Sequence, residues 1–295
     1  MPSVPPRSES RNVVAPIIVP GWSGFEWLWH GFSTRAGGVS EVYLPPVGGQ
    51  VRELGQGTGG ELNLGFTPDD NLDNARENRL RFVEAVAGSR ETPLTLLRQI
   101  HSNRSVSVDG SGEWVAPEAD GIMTNRPGVL VGVQTADCIP VLVADPLKRA
   151  VGAFHAGWRG TVERIVELGV ARMTAEFGSD PAALVAAIGP GIGPCCYTVG
   201  EEVRTRFQGN FRYADGLFSD GNAVGSDSGL RLDLIGANRR QLLDAGMKPG
   251  AISVVGGCTS CQPDLFYSHR ASGGRAGRMM AVAGIRPSTA LRSGA

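Results

Sequence analysis

The stretch Val129–Arg159, VLVGVQTADCIPVLVADPLKRAVGAFHAGWR, decides how this chain is read. Three apolar runs of strand length, Val129–Thr135, Pro140–Ala144 and Val151–His155, are separated by short breaks that carry Asp, Pro and charge. Cys138 follows Asp137 where the first run breaks, and His155 closes the last run just before Ala-Gly-Trp-Arg-Gly. Strand ends are where α/β proteins concentrate their chemistry. The whole chain holds four histidines, at 30, 101, 155 and 269, so a cysteine and a histidine both placed at strand ends point to a site. Imidazole and thiolate together suit zinc or copper, or serve without metal as a nucleophile pair. The plainer account makes Cys138 a small buried hydrophobe and His155 a hydrogen-bonded core residue, the commoner fate of each type alone. His101 weighs against it. It too follows an apolar run, in LTLLRQIHSNRSVSV, beside small polar residues that suit its second ring nitrogen.

Further apolar runs of strand length are Leu94–Ile100, Leu184–Ile188, Ile252–Val255 and Met279–Val282. A helix is predicted after Gly160, where Val162, Ile165, Val166, Val170, Met173 and Phe177 recur at spacings of three and four and Gly178 supplies a stop. Thr198-Val-Gly-Glu201 has the form of a capping box with Val199, Val203 and Phe207 on one stripe behind it. Asp233 is expected to cap a helix ending near Gly246, and Asn71–Val86 forms another. Strands with helices interspersed, without strict βαβ alternation, predict an α/β or α+β sandwich and exclude a TIM barrel or a dinucleotide fold.

The chain has 295 residues, 41% of them hydrophobic, which is ample for one sizeable core. Its 42 glycines and 19 prolines are spread among short apolar runs, as many tight turns between strands require. A net charge of −1 without a dense Lys/Arg stripe leaves no electrostatic footprint for nucleic acid, so the expected partner is a small metabolite. The N-terminus MPSVPPRSESRNVV lacks the apolar segment of a signal peptide and no run has the length of a membrane helix, which predicts a cytoplasmic protein that engages no membrane. Its five cysteines are then expected to be reduced. Pro-, Ser- and Arg-rich residues at the start and the closing STALRSGA predict flexible tails over 1–24 and 287–295, and the Gly-rich 45–60 a mobile loop.

Three other motifs carry less. Cys258-Thr-Ser-Cys261 is half of a zinc ribbon without a second Cys-x-x-Cys, since Cys195 and Cys196 are adjacent, and the four are read as buried packing residues near turns. Gly189–Pro194 lacks the Lys of a phosphate loop and reads as a structural turn. In Gly31–Ser40, Arg35 among hydroxyls and glycines is suited to hold an anion, although a plain surface loop accounts for it equally well.

A set of co-linear motifs makes a resemblance specific. His30-Gly-Phe-Ser-Thr-Arg-x-Gly-Gly-Val-Ser40, Leu62-Asn-Leu-Gly65, Glu77-Asn-Arg79, Gln99-x-His101, Ala119-Asp-Gly121, Thr135-Ala-Asp-Cys-x-Pro140, His155-Ala-Gly-Trp-Arg-Gly160, Ile188-Gly-Pro-x-Ile-Gly-Pro-Cys-Cys-Tyr197 and Gly277-Arg278 resemble the YfiH/LACC1 family, formerly called multicopper polyphenol oxidases or laccase-domain proteins. The resemblance implies a single domain over 25–286, an α-β-β-α sandwich related to cytotoxic-necrotizing-factor-like cysteine hydrolases. It implies one zinc, with copper as the alternative, held by His101, Cys138 and His155 with a fourth position open. It also implies a purine nucleoside phosphorylase acting on adenosine, inosine, guanosine and methylthioadenosine, with adenosine deaminase activity. The substrates would be a nucleoside and phosphate, and no oligomeric state follows. Two positions depart from the pattern: the Gly-rich insert after Ser40, and His269 where an aromatic-Ser-Tyr-Arg run usually has Tyr.

Phosphorolysis needs an oriented phosphate, a polarised purine and shielding for a cationic sugar. The candidates for phosphate are Arg35 and Arg159, with Ser33 and Asn63 as neutral partners. Deamination needs a hydroxide, which a zinc with an open position supplies, and Asp137 beside Cys138 is the candidate to move the proton or hold a ligand in place. A multicopper oxidase would need more imidazoles than four histidines supply. The alternatives are a Cys138/His155 hydrolase, an enzyme editing peptidoglycan precursors and a copper-dependent polyphenol oxidase of another kind.

Overall fold

A computed structural model describes residues 13–43, 60–109, 114–220 and 229–288. The strands are, in chain order, β1 (Leu28–Phe32), β2 (Ala36–Gly38), β3 (Gly60–Glu61), β4 (Leu94–Thr95), β5 (Ser105–Ser107), β6 (Gly121–Thr124), β7 (Leu130–Thr135), β8 (Ile139–Asp145), β9 (Ala150–Ala156), β10 (Val185–Ile188), β11 (Thr198–Val199), β12 (Phe218–Asp220), β13 (Leu230–Leu232), β14 (Ile252–Val254) and β15 (Met279–Ile285). The helices are α1 (Leu72–Ala87), α2 (Trp158–Val162), α3 (Ile165–Phe177), α4 (Glu201–Asn210) and α5 (Leu234–Asp244). Two sheets dominate, one in the order β1-β15-β7-β4 and the other in the order β14-β10-β8-β9-β6-β5.

Alternation along each strand assigns its two faces. In β8 and β9, Leu142, Ala144, Val151 and Ala153 join Val131 and Val133 of β7 and Ala281 and Ala283 of β15 in one apolar layer between the sheets. The opposite residues of the same strands, Val141, Val143 and Phe154, pack with Ile165, Val166 and Val170 of α3 and with Ala237 and Leu242 of α5. On the far side, Leu130, Met280 and Val282 meet Phe82 and Val83 of α1. Strands buried on both faces must read as continuous apolar runs, as they do in Val129–Arg159. Close packing sets local identities too: a Cβ on Gly169 of α3 would stand 2.2 Å from the Phe154 ring, so only glycine lets the helix settle on β9.

Several expectations change. Residues 13–24 were expected in a flexible tail, yet Ile17 bridges to Phe32, and Val19 and Trp22 are buried in the inter-sheet layer. Burial of those apolar side chains offsets part of the entropy lost in ordering the segment. The rest of that tail, the C-terminal tail beyond 288 and nearly all of the 45–60 loop lie outside the described residues. The run Leu94–Ile100 pairs with β7 only at Leu94 and Thr95, then leaves that sheet and makes one isolated bridge from Arg98 to Glu118. The helix after Gly160 starts earlier, at Trp158, and breaks at Arg164, whose φ of 64° is left-handed, before resuming to the Gly178 cap. The capping box fails: Thr198 pairs with Arg231 in a strand, and α4 begins behind Gly200 with no side-chain cap. Asp233 does cap α5, accepting from the Gly236 N–H, and Asn71 caps α1.

Candidate active site

β8 and β9 form an antiparallel hairpin in which Pro140 faces His155 and Ile139 faces Ala156. Cys138, just before β8, and His155, near the end of β9, therefore meet at the open end of the hairpin. β7 ends and β15 begins at this same end, with Thr135 opposite Met279. His101 arrives from the loop between β4 and β5. The ligand atoms of His101, Cys138 and His155 all lie within 4.8 Å of one another, and the two imidazole centroids are 4.9 Å apart. The backbone leaves room for this approach at Gly157, where a Cβ would stand 3.0 Å from Cys138 Sγ and 3.1 Å from His101 Cδ2.

The group that assembles the site is Asp120, which the sequence reading did not single out. Its fully buried carboxylate accepts from the Ile100, His101 and Ser102 N–H groups at 3.2, 3.0 and 2.6 Å and from Ser102 Oγ at 2.7 Å. It also lies 2.8 Å from His155 Nδ1. That contact makes Nδ1 the donor and turns Nε2 toward the site. Burial alone would raise the Asp120 pKa, but its bonds to His155 and Ser102 prevail and hold it at about 2. The same balance creates an ion pair. Burial pushes the Cys138 thiol up, yet the adjacent His155 and the hydrogen bond from His101 bring it down to about 6. Burial depresses His155, and Cys138 with Asp120 overcomes that to raise it to about 9. Both shifts run in the direction that favours a thiolate beside an imidazolium. Two non-glycine residues here have left-handed backbones, His101 with φ 61° and Asp137 with φ 86°, a strain typical of functional loops.

A cleft of about 550 Å³ opens over the cluster, lined further by Gln99, Gln134, Trp158, Arg159, Tyr197, His269, Arg270 and Arg278. Arg159 is exposed and stacked 4.6 Å over Trp158. Arg270 and Arg278 were not among the candidates from sequence, although Gly277-Arg278 stood within a matched motif. His269 reaches the cleft, so the departure noted at that position bears on the site.

The other candidates lie elsewhere. The Arg35 guanidinium is committed to the Glu61 carboxylate and to the Pro263 and Tyr43 carbonyls, stacks on Tyr267 and is absent from the walls of this cleft. Ser33 Oγ accepts from the Met280 N–H at 2.9 Å. Asn63 is consumed by Gly65, Thr67, Asp70 and the Arg278 N–H. These three tie loops to the sheet, because the hydrogen bonds they make run to other parts of the chain. Asp137 lines the cleft, but its carboxylate oxygens accept from Thr259 Oγ1 at 2.6 Å and the Arg270 N–H at 2.7 Å. It ties down the segment that carries Arg270, and the carboxylate that stands behind His155 is that of Asp120. The four remaining cysteines are not buried packing residues: Cys195 and Cys261 are exposed.

Fold and site together define a mixed α/β protein with a His/Cys/His cluster in a cationic cleft. Residues 29–286 match the model of the family described as multi-copper polyphenol oxidoreductase laccase, and the chain belongs to that family, the YfiH group expected from its motifs. It is 41% identical over 260 residues to a purine nucleoside phosphorylase of Deinococcus radiodurans, covering 87% of this chain and 88% of that one. With purine nucleoside phosphorylase YfiH of Escherichia coli it shares 32% over 256 residues, 86% of this chain and 93% of the other. The crystal structure of the Bacillus licheniformis hypothetical protein YfiH superposes with a TM-score of 0.77 at 30% identity, covering 93% and 97% of the two chains.

Proposed function

We propose that this protein is a metal-dependent purine nucleoside phosphorylase whose reaction takes place over His101, Cys138 and His155. The observation that carries the reading is the convergence of a three-residue ligand set and three arginines, Arg159, Arg270 and Arg278, in one cleft. Two imidazoles and a thiolate, with ligand atoms within 4.8 Å and Asp120 behind one imidazole, fit a zinc ion that keeps one position open. When bound, the ion supplies a Lewis acid, the chemistry by which an oxygen of either substrate is polarised and by which water is activated for deamination of adenosine. Asp120 fixes the His155 tautomer and the His101 loop. The arginines bind and orient a phosphate dianion, whose charge complements the developing positive charge on the ribose. Trp158 and Tyr197 offer aromatic walls to a purine. Adenosine, inosine, guanosine and methylthioadenosine are the substrates in this reading, and the cytoplasm is its place of action. The layers described above are read as the α-β-β-α sandwich of cysteine hydrolases, in one domain that also takes in Ile17, Val19 and Trp22 ahead of the expected start at residue 25.

A second reading rests on the Asp120–His155–Cys138 alignment, which has the form of a nucleophile, base and orienting acid and would serve a hydrolase without metal. Incubating the purified protein with adenosine, with and without phosphate, separates the two. Release of adenine that requires phosphate supports phosphorolysis, and inosine formed regardless of phosphate reports the deaminase activity. No turnover in either mixture, combined with rapid iodoacetamide labelling of Cys138 in the metal-loaded protein, would favour the hydrolase.

A further inference from the structure

Four cysteines converge at a second point, outside the ligand set of the cleft. Cys195 and Cys196 follow the Gly189–Pro194 turn, and Cys258 and Cys261 lie in the turn after β14, 62 to 66 residues further on. Their sulfurs all lie within 4.8 Å of one another. Cys261 Sγ is 3.4 Å from Cys195 Sγ and 3.3 Å from Cys196 Sγ, and all four thiols are free. The two segments are locked in backbone register: Gly191 bridges to Cys258, and the Thr259 N–H donates to the Gly191 carbonyl at 3.0 Å. The Gly193 N–H donates to Cys258 Sγ at 3.2 Å, a bond that favours a thiolate. A Cβ on Gly193 would stand 3.2 Å from Cys258 Cβ and 3.3 Å from Cys195 Sγ, so glycine leaves the space into which the sulfurs point.

This arrangement does not suit apolar packing, because two of the cysteines are exposed and the sulfurs face each other rather than the core. Nor does it single out a disulfide, since Cys261 stands equally near two partners. Four thiolates around one ion at about 2.3 Å would place sulfurs about 3.8 Å apart in a tetrahedron, the spacing of this cluster to within small rotations. Four sulfurs with no open position favour a redox-inert structural ion, and the spacing suits a single metal rather than a cluster of irons. We propose that Cys195, Cys196, Cys258 and Cys261 form a second, structural zinc site. Binding displaces the thiol protons to solvent and leaves every sulfur as thiolate. The ion clamps the two segments that build one wall of the cleft: Ile192 and Tyr197 flank Cys195 and Cys196, and Thr259, between Cys258 and Cys261, holds Asp137 beside Cys138. Adjacent cysteines in one half of the set hide it from any search for paired Cys-x-x-Cys motifs.

The test uses full-length protein handled with a phosphine reductant. In a His101→Ala/Cys138→Ser/His155→Ala variant the cleft ligands are gone, so the result does not depend on the proposed phosphorolysis. Titration with Co²⁺ should give one equivalent of bound metal with the strong visible bands and sulfur-to-cobalt charge transfer of tetrathiolate coordination. Adding Cys258→Ser and Cys261→Ser should abolish them. Should a variant fail to fold, the native protein supplies the same answer by mass spectrometry. All four cysteines should resist alkylation until a chelator is added, then react together. No thiolate charge transfer in the triple variant would overturn the site. So would a Cys261 disulfide to Cys195 or Cys196 in native protein, or alkylation of the four without chelator.

Discussion

Two regions of this molecule present arginine among hydroxyl and amide side chains, and only one of them faces the cleft. Around Ser33, Arg35 and Asn63 the polar atoms find partners within the chain: Glu61, two carbonyls and Tyr267 for Arg35, the Met280 backbone for Ser33, and the 65–70 turn for Asn63. Around Cys138, Arg159, Arg270 and Arg278 line a cleft beside two imidazoles. The difference teaches that the donor types in a motif do not by themselves make an anion site, since folding decides which of them reach a cleft. Both regions are polar by sequence, but one spends its polarity on holding β1, β3 and β15 together, while the other sets three arginines on the cleft wall even though Arg270 also donates to the Thr198 carbonyl and Arg278 to those of Ala276 and Gly277.

The sharpest contrast comes from the ligand set and its buttress. Cys138→Ala or His155→Ala should lower phosphorolysis more than about a thousandfold, because a unit of interdependent groups fails together, while circular dichroism stays native. Asp120→Asn keeps the shape but weakens the carboxylate behind His155, and should cost about 10–100-fold in activity or metal affinity. Ser33→Ala should leave both Michaelis constants in place and reduce stability by about 1 kcal/mol through one lost hydrogen bond. An Asp120→Asn enzyme with native kinetics and metal affinity would break the assignment of Asp120 as the orienting group.

A smaller effect distinguishes the framework by pH. His30 on β1 is buried, and that burial, aided by nearby Arg286, lowers its pKa to about 4 while its Nε2 accepts from the Val19 N–H at 3.1 Å. Native His30 stays neutral where the unfolded chain, with a pKa near 6.5, takes up a proton. Between these values the unfolded state binds more protons, so stability is present above about pH 6.5 and lost as the pH falls toward 4. One proton accounts for at most about 1.4 kcal/mol per pH unit. Denaturant unfolding from pH 7 to 4.5 should show this loss in the wild type and a shallower one in His30→Gln. Equal slopes would remove His30 from the account.

Much of the central fold was legible because both faces of β7, β8, β9 and β15 are buried, which writes them as unbroken apolar runs with few competing readings. The short strands β2, β3 and β11 were not, since two or three residues paired across the molecule leave no periodicity to read. Thr198 shows the limit: its local capping signal yields to a strand pairing with Arg231 that only tertiary structure supplies. In the site, His101, Cys138 and His155 were visible because their types are rare and each stands beside a strand-like run. Asp120 was not, because an aspartate in Ala119-Asp-Gly121 looks like a turn until five donors are seen to converge on it. Arg35 lies outside this cleft for the converse reason, as its partners Glu61 and Pro263 come from residues distant in sequence.

Phosphate saturation of two single variants tests most directly whether the anion is held in the cleft. Arg159→Ala should raise the Michaelis constant for phosphate about tenfold or more and change that for nucleoside far less, since loss of a charge-assisted bond falls on the ligand it held. Arg35→Ala should lower thermal stability and leave the phosphate constant of the folded fraction unchanged. A selective rise for phosphate in Arg35→Ala, with Arg159→Ala indifferent to phosphate, would contradict the account.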